Sequence, residues 1–118
     1  MNQAHLTVSQ RTPADGVRVL APAGEIDHTT TAILRQALES KDGRARHTVI
    51  DFHDVTFMDS SGINILVAAN NAAQARGSRL SLAHTPQPVR DLLHIVGLDD
   101  VLVLYPTLHE ALEAQHAA

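Results

Sequence analysis

Apolar and polar residues are arranged in short blocks along this chain, and the spacing of the apolar residues changes from block to block. In His5–Ser9 the apolar residues stand at every second position, as in a strand with one buried face. The turn-forming segment Pro13–Gly16 separates this block from a second one, Val17–Ala21. The two blocks predict a β-hairpin, whose second strand ends at Gly24–Asp27.

Beyond the hairpin, blocks with helical spacing alternate with short apolar runs. Helices are predicted at 29–40, at 61–76, from Pro86 or Pro88 up to Gly97, and at 107–115, and strands at 49–52, 79–83 and 101–104. Strands separated by helices pair in parallel, because a parallel connection needs about a dozen residues. The pattern therefore predicts an α/β fold: one domain over residues 1–118, with a mixed, mostly parallel five-stranded sheet and about four helices.

Composition narrows the class of protein. The 118 residues contain no cysteine, which excludes disulfides and cysteine-bound metals, and the net charge is −4. The nine lysines and arginines are scattered through the sequence, so no nucleic-acid partner is expected. No apolar stretch reaches the roughly 20 residues that cross a bilayer, and neither end resembles a signal segment. We expect a cytoplasmic protein without a membrane role of its own.

The turn after the central apolar run carries the candidate chemistry. That run ends in Asp59-Ser60-Ser61-Gly62, and a helical pattern follows at once. Aspartate and serine cap helices by accepting hydrogen bonds from the first N–H groups, so the helix begins here. From these residues alone two interpretations stay open: Ser60 and Ser61 are caps only, or one of them accepts phosphate. A phosphate would add about −1.5 to −2 charges where a helix N-terminus tolerates anions.

Enzymatic interpretations find little support in the sequence. A serine nucleophile at such a turn belongs to the pattern Gly-x-Ser-x-Gly, and Met58 stands where the first glycine would be for Ser60. The eight histidines lie at no metal-ligand spacing, and no glycine-rich nucleotide loop follows a strand. We predict that the protein is not an enzyme and has no metal or cofactor.

The helix after the turn has more than one apolar face. On a helical wheel one face is expected to pack on the sheet, and its members are Ile65, Leu66, Ala69, Ala72 and Ala73. A flank beside it mixes apolar and amide side chains, namely Ile63, Val67, Asn70 and Gln74. Such a mixture is typical of a recognition surface, although a half-buried flank would look the same. We predict that the flank, with Val67, contacts a partner.

Several blocks together resemble a known family. They are Gly24-Glu-Ile-Asp-His-Thr29, Val49-Ile-Asp-Phe52, Phe57-Met-Asp-Ser-Ser-Gly-Ile63, Pro88-Val-Arg-Asp-Leu-Leu93 and Gly97-Leu98. They make the chain similar to the STAS-domain anti-sigma factor antagonists over nearly its whole length. The Met-Asp-Ser-Ser-Gly block is the most specific part of this resemblance.

The resemblance implies a phosphorylation switch. In that family the unphosphorylated protein binds an anti-sigma factor that is also a serine kinase, and thereby frees the sigma factor for transcription. The first serine of the motif, here Ser60, is the phosphate acceptor, and a metal-dependent phosphatase resets it. Further residues are implied at or near the partner surface: Asp27, Asp59, Ser61, Gly62 and Ile63. A constitutive STAS subunit of a lipid-transport or transporter complex is the alternative, and the protein is expected to be a monomer or weak homodimer.

Overall fold

The computed structural model describes residues 5–40 and 45–116 of the chain. These residues form six strands and, as predicted, four helices. The strands are β1 (Leu6–Ala14), β2 (Val17–Ile26), β3 (His47–Asp51), β4 (Asp54–Met58), β5 (Arg79–Ala83) and β6 (Val103–Tyr105). The helices are α1 (Thr31–Glu39), α2 (Ser60–Ala75), α3 (Gln87–Ile95) and α4 (Leu108–His116), with a 3₁₀ turn at Leu98–Asp100.

The strands form one mixed sheet in the order β1-β2-β3-β5-β6, with β4 paired to β2 outside this path. Among the strands described, only the β1–β2 hairpin is antiparallel, and the other pairs are parallel. The predicted α/β fold and its mixed sheet are therefore confirmed. The central order contains the five predicted strands, and β4 is a sixth that the sequence interpretation did not separate.

The additional strand arises from a break in the central apolar run. After β3 the chain bends at Phe52 and His53, and Val55 N–H donates to Phe52 C=O at 3.0 Å. β3 pairs with the first half of β2, and β4 pairs with the second half of the same strand. The bend therefore places β4 beside the second half of β2, and α2 begins where these two strands end.

Helices cover both faces of the sheet. The larger core lies where α1, α2 and α3 pack on it, and among its fully buried residues are Leu34, Ile50, Phe52, Leu66, Leu82 and Leu93. A smaller core on the other face joins Val19, Val49 and Ala83 to Ala111 of α4. No helix among the described residues is both long and apolar enough to cross a membrane.

The helix starts differ in how they are capped. Thr107 caps α4, because Glu110 N–H donates to its hydroxyl at 3.0 Å. At the start of α1 the Thr30 hydroxyl makes no cap hydrogen bond. The Thr30 hydroxyl instead donates to Glu25 C=O at 2.8 Å and accepts from Asp27 N–H at 3.0 Å. It closes the turn between β2 and α1.

Candidate functional site

Two loops lie side by side where β2 and β4 end. Ile26 is paired with Met58 across these parallel strands. The next residue, Asp59, donates its N–H to Ile26 C=O at 3.2 Å. The turn after β2, with Asp27, is therefore brought next to the start of α2, with Ser60.

Asp59 is the N-cap of α2. Its backbone is extended and its carboxylate accepts the Ser61 N–H at 2.8 Å, which satisfies one of the unpaired donors of the first turn. Its own carbonyl accepts the Gly62 N–H at 3.0 Å. The predicted helix start at Asp59 to Ser61 is confirmed.

Ser60 occupies the first helical position and is exposed. In the described part of the chain no hydrogen bond engages its hydroxyl, and Ser61 beside it is half-buried and bonded only through its backbone. The cap is therefore made by Asp59, and neither serine hydroxyl contributes to it. An exposed hydroxyl without a structural bond can be modified without loss of any contact that holds the fold.

Asp27 is held in a compact turn. Its carboxylate accepts the Thr29 hydroxyl at 2.6 Å and the Thr29 N–H at 2.8 Å. These bonds, the hydroxyl first, lower the pKa of the Asp27 carboxyl below its ordinary value of 3.8. Asp27 therefore presents a fixed negative charge beside the start of α2.

Gly62 lets α2 approach the end of β4. A Cβ placed on Gly62 would lie 2.5 Å from Met58 Cγ and 2.9 Å from Ile26 Cγ2, closer than real side chains come. The first turn of the helix is thus seated directly on the strand ends. Any larger residue at this position would require Met58, Ile26 or the first turn of α2 to shift.

Phe57 adds an apolar group that sequence reasoning missed as a site residue. The register between β2 and β4 shifts between Gly24 and Glu25, and Thr56 is the extra residue of this bulge. Its hydroxyl donates to Gly24 C=O at 3.2 Å. The bulge turns Met58 inward and leaves Phe57 49% exposed. Simple alternation from Val55 would have buried Phe57, so the run itself gave no signal for this residue.

The predicted flank of α2 is not a single surface. Val67 is 37% exposed, and Gln74 is exposed as well. Ile63 is only 6% exposed and packs in the larger core, and Asn70 is buried too. Ile63 was predicted to contact a partner, but its side chain is not at the surface of this structure. Gly62 is also buried and supports the site from below.

The packing face of α2 agrees with the wheel except at one position. Ile65, Leu66 and Ala73 are buried, and Ala69 is half-buried. Ala72, which was predicted to pack on the sheet, is exposed. It lines an open groove between α1 and α2 instead.

Two features of the described residues bear on whether they could hold a metal ion or activate a serine. Among the described residues no three histidine, aspartate or glutamate side chains are placed to hold a metal ion. Within the same residues, a histidine bonds a serine at one place, where the His47 ring contacts Ser81 Oγ at 2.8 Å inside the sheet. Burial, followed by the charge of Arg79, lowers the pKa of His47 from 6.5 to about 4. That pair is not connected to Ser60.

Comparisons with known proteins agree on one family. The family model described as STAS domain matches residues 10–111. The anti-sigma-F factor antagonist RsfB of Mycobacterium tuberculosis is 35% identical over 99 residues, which are 83% of this chain and 80% of RsfB. The crystal structure of an anti-sigma factor antagonist from Mycobacterium paratuberculosis has a TM-score of 0.82 and 33% identity, and the match covers 92% of each chain.

The anti-sigma factor antagonist SpoIIAA shares the fold at lower identity. Its unphosphorylated form has a TM-score of 0.81 at 20% identity, over 95% of this chain and 98% of SpoIIAA. The phosphorylated form of SpoIIAA from Bacillus has a TM-score of 0.74 at 21% identity, over 92% of this chain and 98% of SpoIIAA.

Proposed function

The chain belongs to the STAS domain family, and we propose that it is an anti-sigma factor antagonist that binds its anti-sigma factor unphosphorylated and releases it when Ser60 is phosphorylated. The supporting relatives named as anti-sigma factor antagonists match this chain at 35% and 33% identity. SpoIIAA, which shares the fold, is known in an unphosphorylated and a phosphorylated form.

The observation that carries the proposal is the state of the Ser60 hydroxyl. It is exposed at the first position of α2, and Asp59 makes the cap in its place. A phosphate on this oxygen would lie near the N–H groups that begin the helix, where negative charge is stabilised. We therefore expect the modified protein to keep its fold.

Release follows from the charge that surrounds Ser60. Asp59 is next to it in the chain, and Asp27 lies on the neighbouring loop with its carboxyl pKa lowered. A partner packed on this surface would have to desolvate a dianion beside these two carboxylates. The exposed Phe57 and Val67 would supply the apolar part of the same contact. Phosphorylation would then weaken binding by electrostatics.

Both phosphoryl steps are assigned to other proteins. An anti-sigma factor with serine kinase activity would transfer the γ-phosphoryl group of ATP to Ser60 Oγ and release ADP. A metal-dependent phosphatase would hydrolyse the ester to serine and inorganic phosphate. This chain is the substrate in both steps, and we propose that it acts in the cytoplasm as a monomer or weak homodimer.

The first experiment is site mapping by mass spectrometry after incubation with ATP and the candidate anti-sigma kinase. One added phosphate on Ser60 is expected. Ser60→Ala should abolish the incorporation, whereas Ser61→Ala, the matched control at the adjacent hydroxyl, should retain it. Phosphate on Ser61 alone, or none with a kinase that is active on another substrate, would contradict the switch and favour a constitutive STAS subunit.

Binding assays test the contact surface separately. Val67→Glu should weaken binding of the anti-sigma factor at least about tenfold with little change in melting temperature, because it buries a charge in the interface. Val101→Glu is the matched control, since Val101 is 53% exposed and lies between the 3₁₀ turn and β6, outside the proposed site. Equal effects of the two substitutions would remove Val67 from the partner surface.

Turnover of a simple ester that is lost in Ser60→Ala would point to a hydrolase.

A further inference from the structure

A groove of about 700 Å³ opens between α1 and α2 at the amino ends of the parallel strands, away from Ser60. Its volume lies within the range of small-molecule sites in proteins. One wall follows a stripe of α2 from Ile65 to Arg76, a length of about 16 Å. We call it the arginine groove, and the stripe consists of Ile65, Ala68, Ala69, Ala72, Ala73 and Arg76.

The side of the groove formed by α2 is apolar from Ile65 to Ala73. The alanines of α2 are too small to fill the space between the helices, and Leu38 of α1 and Leu80 of β5 add aliphatic surface. None of the described lining residues is aromatic, so the groove offers no ring on which a base could stack. The floor therefore suits an aliphatic chain.

One end of the groove is strongly cationic. Arg46 precedes β3 and Arg79 opens β5, and Arg79 N–H donates to Arg46 C=O at 2.9 Å. Arg76, which ends α2, lines the same end, and Arg35 of α1 adds a fourth charge along the wall. All four side chains are exposed. In the described parts of the chain none of them forms an ion pair, since the ion pairs found there involve histidines.

This concentration of charge is unusual for the protein. The chain has a net charge of −4 and nine basic residues, and five of the nine line this groove. Of the described lining residues one is acidic, Glu39. Guanidinium groups recognise carboxylates and phosphates through paired hydrogen bonds. The cationic end is therefore complementary to an organic anion.

The fifth arginine fixes the shape of the groove. Arg18 is 4% exposed and donates to Ser40 C=O at 2.8 Å and to Leu38 C=O at 3.1 Å. It also bonds the Thr48 hydroxyl at 3.1 Å. These bonds tie the end of α1 to β2 and β3, so the wall opposite α2 is held in place before any ligand arrives.

We propose that the arginine groove binds an anionic single-chain amphiphile, with a carboxylate or phosphate head at the arginine end and its aliphatic chain along α2. The site is independent of the proposed phosphorylation switch. The alanine stripe accommodates the chain, and Arg46, Arg76 and Arg79 neutralise the head.

Titration of the ¹⁵N-labelled protein with sodium decanoate, followed by NMR, tests the proposal. Saturable shifts should be confined to the amides of α2, the end of α1 and the starts of β3 and β5. Butyrate should bind at least about 30-fold more weakly than decanoate, because six methylene groups are lost from the apolar floor. Decyl phosphate and inorganic phosphate form a second pair that shows whether the phosphate head is accepted with the same chain dependence.

Substitutions separate the head from the chain. Arg76→Gln and Arg46→Gln should each weaken decanoate binding about tenfold, whereas Arg90→Gln, on α3 outside the groove, should change it less than twofold. Ala72→Phe should block the chain, and Ala75→Phe is its control, since both alanines are exposed on α2 and only Ala72 lines the groove. Melting temperatures verify that each variant folds. If Ala72→Phe does not fold, the arginine variants test the proposal.

Three results would overturn the proposal. Affinity that does not depend on chain length would leave a general anion site. Equal binding by Ala72→Phe and Ala75→Phe would place the ligand elsewhere. Displacement of decanoate by a micromolar acidic peptide, with the same residues shifted, would make the groove a docking site for a protein segment.

Discussion

The starts of α1 and α2 stand next to each other at the ends of β2 and β4, and each carries a hydroxyl residue. At α1 the Thr30 hydroxyl is 1% exposed and bonds both Glu25 C=O and Asp27 N–H. At α2 the Ser60 hydroxyl is exposed, and Asp59 makes the cap. The difference teaches that a hydroxyl near a helix start can be essential to the fold or free for chemistry, according to what else satisfies the backbone.

A third hydroxyl, that of Ser81, is buried and bonds His47, and this histidine makes the stability of the fold depend on pH. His47, which bonds Ser81, has its pKa lowered from 6.5 to about 4. Because the folded pKa lies below that of the unfolded chain, the unfolded state takes up a proton first as the pH falls. Stability should be full above pH 6.5 and decrease by about 3 kcal/mol between pH 6.5 and 4.

Urea unfolding at a series of pH values measures this loss. His47→Gln should flatten the profile between pH 6.5 and 4. His94→Gln should retain the fall, because His94 is exposed and bonds Asp99, which raises its pKa. A wild-type profile that is flat over this range would mean that His47 titrates normally.

The comparison itself is tested by removing each hydroxyl. Thr30→Val should cost about 2 kcal/mol of unfolding free energy, because it removes the hydroxyl that bonds the partly buried Glu25 C=O and Asp27 N–H. Ser60→Ala should change stability by less than about 0.5 kcal/mol. Chemical denaturation of both variants gives the two values, and similar losses would show that Ser60 also supports the fold.

The cap of α2 should have a smaller effect. Asp59→Ala removes the bond to Ser61 N–H and should cost about 1 kcal/mol, whereas Asp59→Asn should retain most of the stability because an amide oxygen can still accept it. The pair also separates capping from charge in kinase and binding assays. No loss in Asp59→Ala would transfer the cap to a serine hydroxyl and contradict the free state of Ser60.

The smallest expected effect concerns the turn before α1. Thr29→Ala removes the hydroxyl that bonds the Asp27 carboxylate, so the pKa of Asp27 should rise towards 3.8. Thr31→Ala is the control, because Thr31 contacts Asp27 only through its backbone N–H. NMR titration of the carboxyl carbon measures both. An unchanged pKa in Thr29→Ala would assign the shift to other groups around Asp27.

Local patterns in the sequence were sufficient for the helices, the hairpin and the α2 cap, because caps and periodicity depend on neighbouring residues. β4 was missed because its residues continue the apolar run of β3, and only pairing with β2 shows where the run divides. The burial of Ile63 and the exposure of Phe57 depend on the seat of α2 and on a bulge, neither of which has a local signature. The arginine groove joins side chains from separate segments, so no single stretch of sequence announces it.

The close seat of Gly62 on Met58 and Ile26 has a consequence for how a signal can leave this protein. The first turn of α2 already contacts the strand ends, so the helix has no room to shift and carry the effect of a modification through the domain. A partner would then have to detect phosphorylation of Ser60 by contacting that residue directly. The rate of such a switch would be set by the enzymes that add and remove the phosphate, since no conformational change of the domain would have to follow phosphorylation before the partner responds.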